Sequence, residues 1–112
     1  MTTTTATTPL PPLVTLCGSM KFFKHMLAVA AEETAAGRIV LSPFCVVTAD
    51  AQDSELKTRL DVLHRHKIDL ADEVIVVTDE TVYIGESTQG EIGYARALGK
   101  PTSIRVVATA GG

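Results

Sequence analysis

The stretch Glu73-Val74-Ile75-Val76-Val77-Thr78 decides the fold. A strand with one wet face alternates apolar and polar residues, whereas this one is apolar and β-branched at every central position. Such a run is buried on both faces, as in the parallel sheets of α/β proteins. Toward the N-terminus, Leu56, Leu60, Leu63 and Ile68 recur at near-helical spacing over residues 54–71. On the C-terminal side, residues 79–85 read as a loop, 87–98 as a helix closed by Gly99, and 102–107 as a last strand opened by Pro101.

The first third of the chain repeats the pattern. Leu13-Val14-Thr15-Leu16-Cys17 is a short apolar run closed by Gly18. Ser19 fits an N-cap, and residues 20–36 form a helix with Phe22, Met26, Val29 and Ala30 on its apolar face, ended by Gly37 at a C′ position. Residues 38–41 are a second strand, stopped by Ser42-Pro43. Residues 43–53 fit no element and read either as a strand extension or as a lid. Strand and helix alternate throughout, which predicts an α/β fold: a three-layer αβα, flavodoxin- or Rossmann-like parallel sheet of four to five strands with right-handed crossovers. Ligands of such sheets bind beyond the carboxyl ends of the strands, where strand order reverses.

Composition narrows the function. The chain has 112 residues, room for one domain, and a formal net charge of −3 with no basic run long enough to track a nucleic-acid backbone. Residues 1–12, rich in Thr and then Pro, and residues 108–112 read as flexible ends around a folded body at 13–107. The two cysteines, Cys17 and Cys45, are too few for a disulfide scaffold and read as reduced thiols. No apolar run reaches the roughly 18 residues of a membrane span, and no basic-then-apolar leader is present, so the cytoplasm is the expected location.

Three segments carry candidate chemistry. Gly18-Ser19 lies where the first helix begins, so free N–H groups and the helix dipole favour an anion, with Lys21 close by to add charge. Gly85-Glu86-Ser87-Thr88-Gln89-Gly90-Glu91 sets a second group of hydroxyls at a second helix start. Within it Thr88-x-x-Glu91 also matches a capping box, in which Glu91 serves only to bond the cap N–H. His64-Arg65-His66-Lys67-Ile68-Asp69 is the third; His64 and His66 fall on different helix faces, so no metal site is expected from that pair. Neither GxGxxG nor GxxxxGK[ST] occurs.

Leu16-Cys17-Gly18-Ser19, Ile68-Asp69-Leu70-Ala71-Asp72-Glu73-Val74 and Gly90-Glu91-Ile92-Gly93-Tyr94-Ala95-Arg96-Ala97-Leu98-Gly99-Lys100-Pro101, taken in order and spacing, resemble the nucleoside 2-deoxyribosyltransferase-like superfamily over residues 13–106. The resemblance implies that Glu91 is the carboxylate that attacks the anomeric carbon. It implies further that Gly18 and Ser19 belong to the sugar- and phosphate-contacting loop and that Ser87 and Thr88 lie near a 5′-phosphate; Cys17, Lys21 and Gly85, next to them in sequence, complete the expected substrate- and phosphate-binding set. Where members carry a second acid in the helix before strand three, this chain has His64, with Asp61 and Asp69 each about a turn away; Asp69 or His64 is therefore the expected source of a proton for the departing base. The loop after strand three lacks the Asp that transferases place before the Glu. The resemblance thus implies an N-glycoside hydrolase of nucleoside 5′-monophosphates needing no cofactor and assembling as a homodimer or larger homo-oligomer. The alternatives are a nucleotide-binding module without turnover and a nucleoside 2-deoxyribosyltransferase.

Overall fold

The computed structural model describes residues 9–44 and 54–109. The elements run β1 (Leu13–Cys17), α1 (Phe23–Ala35), β2 (Ile39–Leu41), α2 (Ser54–Leu70), β3 (Glu73–Thr78), α3 (Glu86–Ala97) and β4 (Thr102–Val106), with a 3₁₀ turn at Met20–Phe22 leading into α1. The strands form one parallel sheet ordered β2-β1-β3-β4, within the four to five strands expected.

Alternation along the central strands divides the core between two layers. Val14 and Leu16 of β1 and Ile75 and Val77 of β3 turn to one face and pack on Met26 and Val29 of α1. Cys17, Val74 and Val76 turn to the other face and meet Ile68 of α2 and Ala95 of α3. The apolar face expected for the first helix is the one buried. In α2 the spacing is only partly borne out: Ile68 is fully buried but Leu63 is half exposed, and His64 takes the buried position beside it. His64 and Ile68 are four apart and share one helix face, so the face that meets the sheet carries an imidazole.

Two polar contacts tie the layers together. Thr15, buried in β1, donates its hydroxyl proton to the Lys67 carbonyl of α2 at 2.7 Å. On the other face Glu33 of α1 is buried between Arg38 and Arg105, the latter at 3.0 Å, and these guanidinium groups hold its carboxyl below the usual range. Chain order reverses between β1 and β3: β2 lies to one side of β1, whereas β3 and β4 lie to the other. Gly18 and the 79–85 loop leave the sheet from the carboxyl ends of these two strands.

Among the described residues no helix is long and apolar enough to cross a membrane. Cys17 is a free, buried cysteine. Cys45, residues 1–8, the 45–53 part of the candidate lid and residues 110–112 lie outside the described residues. At the C-terminal end, Thr109 bonds to the Glu80 carboxylate at 3.1 Å through its hydroxyl.

Candidate active site

A cavity of about 410 Å³ opens at the reversal point, within the range of small-molecule pockets. Gly18 and Ser19 line it from the end of β1, His64 from α2, and Gly85, Ser87, Thr88 and Glu91 from the start of α3. Three segments read separately from the sequence thus meet across one space.

Local chemistry shapes each wall. Ser19 caps the 3₁₀ turn, its hydroxyl accepting from the Lys21 N–H at 3.3 Å. After β3, the Thr78 hydroxyl donates to the Tyr83 carbonyl at 2.7 Å, and Asp79 accepts from the Thr81 N–H at 2.9 Å. The chain turns back through Val82 at φ 56 and enters α3 at Gly85. Gly85 is the N-cap and has no side chain to satisfy the first-turn N–H groups, which leaves them for a ligand.

Thr88 is therefore not a cap. It stands inside the first turn, almost fully buried. With no cap at Thr88, Glu91 has no capping-box partner; its carboxylate instead reaches across the cavity wall toward α2. This removes the structural explanation for Glu91 that the Thr-x-x-Glu spacing offered.

Glu91 meets Cys17 and His64 there. His64 Nε2 lies 3.3 Å from Cys17 Sγ and 3.6 Å from Glu91 Oε1. The Cys17 thiol faces the Glu91 carboxylate within 4.8 Å and favours its ionised form. Burial, and secondarily the Asp61 charge, push the Glu91 pKa up to about 7 against the pull of the thiol, Arg65 and Lys57. Burial, and then the adjacent carboxylate, push the thiol upward. Burial and Lys67 lower His64 to about 4, so its imidazole is neutral. His64 Nδ1 has no hydrogen-bond partner among the described residues. A bare ring lone pair is less costly there than an orphaned N–H, which assigns the proton to Nε2, facing Sγ and Glu91.

The remaining expected site residues divide. Lys21 does not line the cavity; its ammonium sits 3.8 Å over the Tyr83 ring. Asp69 does not line it either. Its carboxylate accepts from the Tyr94 hydroxyl at 2.5 Å and lies 3.4 Å from His66. A carboxylate so engaged, on the exposed side of α2, is not placed to protonate a departing base. Asp61, one turn before His64, does line the cavity, beside Lys57 at 3.1 Å. Lys57 also reaches the Ser87 hydroxyl at 3.4 Å and is the lysine of the lining. Lys57 was invisible in the sequence because nothing marks one exposed helical lysine among several; only the crossing of α2 over β1 brings it to Ser87.

No protein-family model and no curated protein matches the chain. A solved structure of a 2-deoxyribosyltransferase from the psychrotolerant bacterium Bacillus psychrosaccharolyticus superimposes with a TM-score of 0.69 at 21% identity, covering 84% of this chain and 72% of the other. That agreement covers most of this chain, which accordingly shares the fold of that 2-deoxyribosyltransferase.

Proposed function

We propose that the chain cleaves the N-glycosidic bond of a nucleoside 5′-monophosphate, with Glu91 as the nucleophile. The observation that carries this reading is the Glu91 carboxylate itself. It is largely withdrawn from water, freed from any capping role, and set in the wall of a nucleotide-sized cavity between two loops that present N–H and hydroxyl donors.

In the first half-reaction a Glu91 oxygen bonds to the anomeric carbon as the carbon–nitrogen bond breaks. The electron pair leaves with the base, which takes up a proton. Asp61 is the acid of the α2 wall, in place of the Asp69 or His64 read from sequence. In the second half water attacks the same carbon, gives up a proton, and restores the Glu91 carboxylate. Positive charge on the sugar ring is stabilised by Glu91 at each stage. The Ser87 hydroxyl, Lys57 and the uncapped N-terminus of α3 are the groups suited to the 5′-phosphate. A homodimer is part of this reading, since a small sheet with apolar residues exposed on β4 gains from further burial.

One observation favours a second reading. Asp61, Glu86 and Glu91 set three carboxylates around the cavity against Lys57. That balance suits an uncharged nucleoside, the substrate class of a deoxyribosyltransferase.

The test is a panel of ribo- and deoxyribonucleosides and their 5′-monophosphates, with and without an acceptor base, assayed for free base by chromatography. Base released from a monophosphate by wild type and not by Glu91→Ala supports the proposal. Base exchange between nucleosides supports the transferase. Thermal stabilisation by a nucleotide without any product leaves a binding module.

The pH profile offers an independent check. Only ionised Glu91 can attack, so kcat/KM is expected to climb through a pKa of about 7 and level off above it. Below that point it falls about tenfold per pH unit. Cys17→Ala removes a group that favours the ionised form and is expected to move this limb to higher pH. A limb that stays in place would show that the thiol does not tune Glu91.

A further inference from the structure

The glycosidic reaction uses Glu91, yet the structure gathers two further side chains around it that form and break no bond in that reaction. Cys17 Sγ comes from the end of β1, His64 Nε2 from α2 and a Glu91 oxygen from α3. All three lie within 4.8 Å of one another. The sulfur and imidazole nitrogen are 3.3 Å apart, the nitrogen and carboxylate oxygen 3.6 Å. A tetrahedral zinc ion has bonds of about 2.3 Å to sulfur and about 2.0–2.2 Å to nitrogen or oxygen. Donors on such an ion are roughly 3.3–3.6 Å apart, so both separations from the His64 nitrogen already match, and the sulfur and the carboxylate oxygen, within 4.8 Å, need only a small side-chain adjustment to close on one ion.

We propose that Cys17, His64 and Glu91 form a binding site for a borderline-soft divalent cation of the Zn²⁺ class, with a fourth position open to the cavity. A thiolate, an imidazole and a carboxylate select such an ion over Mg²⁺ or Ca²⁺, which require oxygen donors. Coordination converts the thiol to thiolate and releases its proton to solvent, while the His64 proton moves from Nε2 to Nδ1. Two anionic ligands and a dication leave the occupied site electrically neutral, which suits a buried position. Three protein ligands and one open position is the coordination pattern of catalytic rather than structural zinc, with the fourth position left to water or a ligand. Among the described residues His64 Nδ1 has no partner to receive its proton, and a missing partner of that kind weakens a site by about 10–100-fold. A carboxylate bound to the ion cannot attack a sugar. Metal binding and turnover therefore exclude each other, a consequence that, unlike the site itself, rests on the glycosidase reading.

The experiment titrates the full chain with Co²⁺ alone and then Zn²⁺ alone. Wild type is expected to take up one Co²⁺ per chain, with a thiolate-to-cobalt charge-transfer band in the near ultraviolet and the intense visible bands of tetrahedral cobalt; Zn²⁺ then bleaches both. Cys17→Ser is expected to lose the charge-transfer band, and His64→Ala to bind at least about tenfold more weakly. Cys45→Ser and His66→Ala should match wild type. Circular dichroism verifies that each variant is folded, and the wild-type spectrum alone already decides whether thiolate is a ligand. Absence of the band in wild type, its survival in Cys17→Ser, or unchanged affinity in His64→Ala would overturn the site. None of these readouts needs turnover. If the nucleotide panel yields base, Zn²⁺ is also expected to stop its release and a chelator to restore it.

Discussion

Replacing Glu91 with glutamine is expected to abolish base release and, at pH 8, to make the protein more stable. The first effect follows from the loss of the nucleophile: an amide cannot bond to the anomeric carbon, and loss of a covalent catalyst costs roughly a thousandfold or more in kcat. The second follows from burial. The folded Glu91 carboxyl holds its proton up to about pH 7, above its ordinary 4.5. The folded state thus binds more protons than the unfolded one between these values, and stability falls as pH rises through that window. Above it the native protein carries a buried carboxylate at a cost on the order of 3 kcal/mol. Glutamine has no charge to bury and can still face the Cys17 thiol. Denaturant titrations at pH 8 and pH 4 check this: the gain should be present at the first and absent at the second, where both side chains are neutral. Equal stability at pH 8 would mean that Glu91 is solvated and its environment ordinary.

Gly18→Ala is expected to damage fold and site together. A Cβ at Gly18 would lie 2.7 Å from the Val77 backbone oxygen and 3.5 Å from the Met26 sulfur. Val77 belongs to β3, paired on both sides and packed on both faces, and cannot retreat. The end of β1 must move instead, carrying Ser19 out of the cavity. Overpacking of this kind costs about 1–3 kcal/mol, and ligand binding should fall by more than the loss of stability accounts for. Gly90→Ala is the matched control. A Cβ there meets nothing within 4 Å, and the position is inside α3. It should raise stability by about 0.5–1 kcal/mol. Denaturation midpoints and nucleotide-induced shifts in Tm, measured on both variants, separate the two outcomes.

The sheet was legible because burial leaves a local mark. β3 and β1 are apolar at nearly every position, and glycines or prolines close the strands they bound. The helices followed from spacing, save that Met20–Phe22 is a tighter turn ahead of α1. The site was legible only where a residue type is unusual for its setting, as with Glu91 after Gly90 or His64 on the face that also carries Ile68. Sequence spacing suggested that Thr88 caps α3, but the helix begins earlier, at Glu86, because Gly85 already supplies the extended residue before it. Asp61 and Asp69 stand on either side of His64 along the chain, each about a turn of helix away. Only the packing of α2 on the sheet turns Asp61 into the cavity and Asp69 toward Tyr94. Cys17 resembles any other small apolar core residue until His64 and Glu91, from distant segments, are laid against it.

The opposed shifts of His64 and Glu91 have a thermodynamic consequence for folding as a whole. Near pH 5.5 an unfolded chain carries a protonated imidazole and an ionised carboxylate at these positions. The folded chain carries a neutral imidazole and a protonated acid. Folding moves a proton from one residue to the other and exchanges almost none with solvent. The slopes that each group would impose on stability cancel, since Glu91 favours lower pH over the same interval in which His64 favours higher. Calorimetry in buffers of different ionisation enthalpy should therefore register no proton uptake from this pair near pH 5.5. Removing either partner would release the slope of the other, downward with rising pH in His64→Ala and upward in Glu91→Gln.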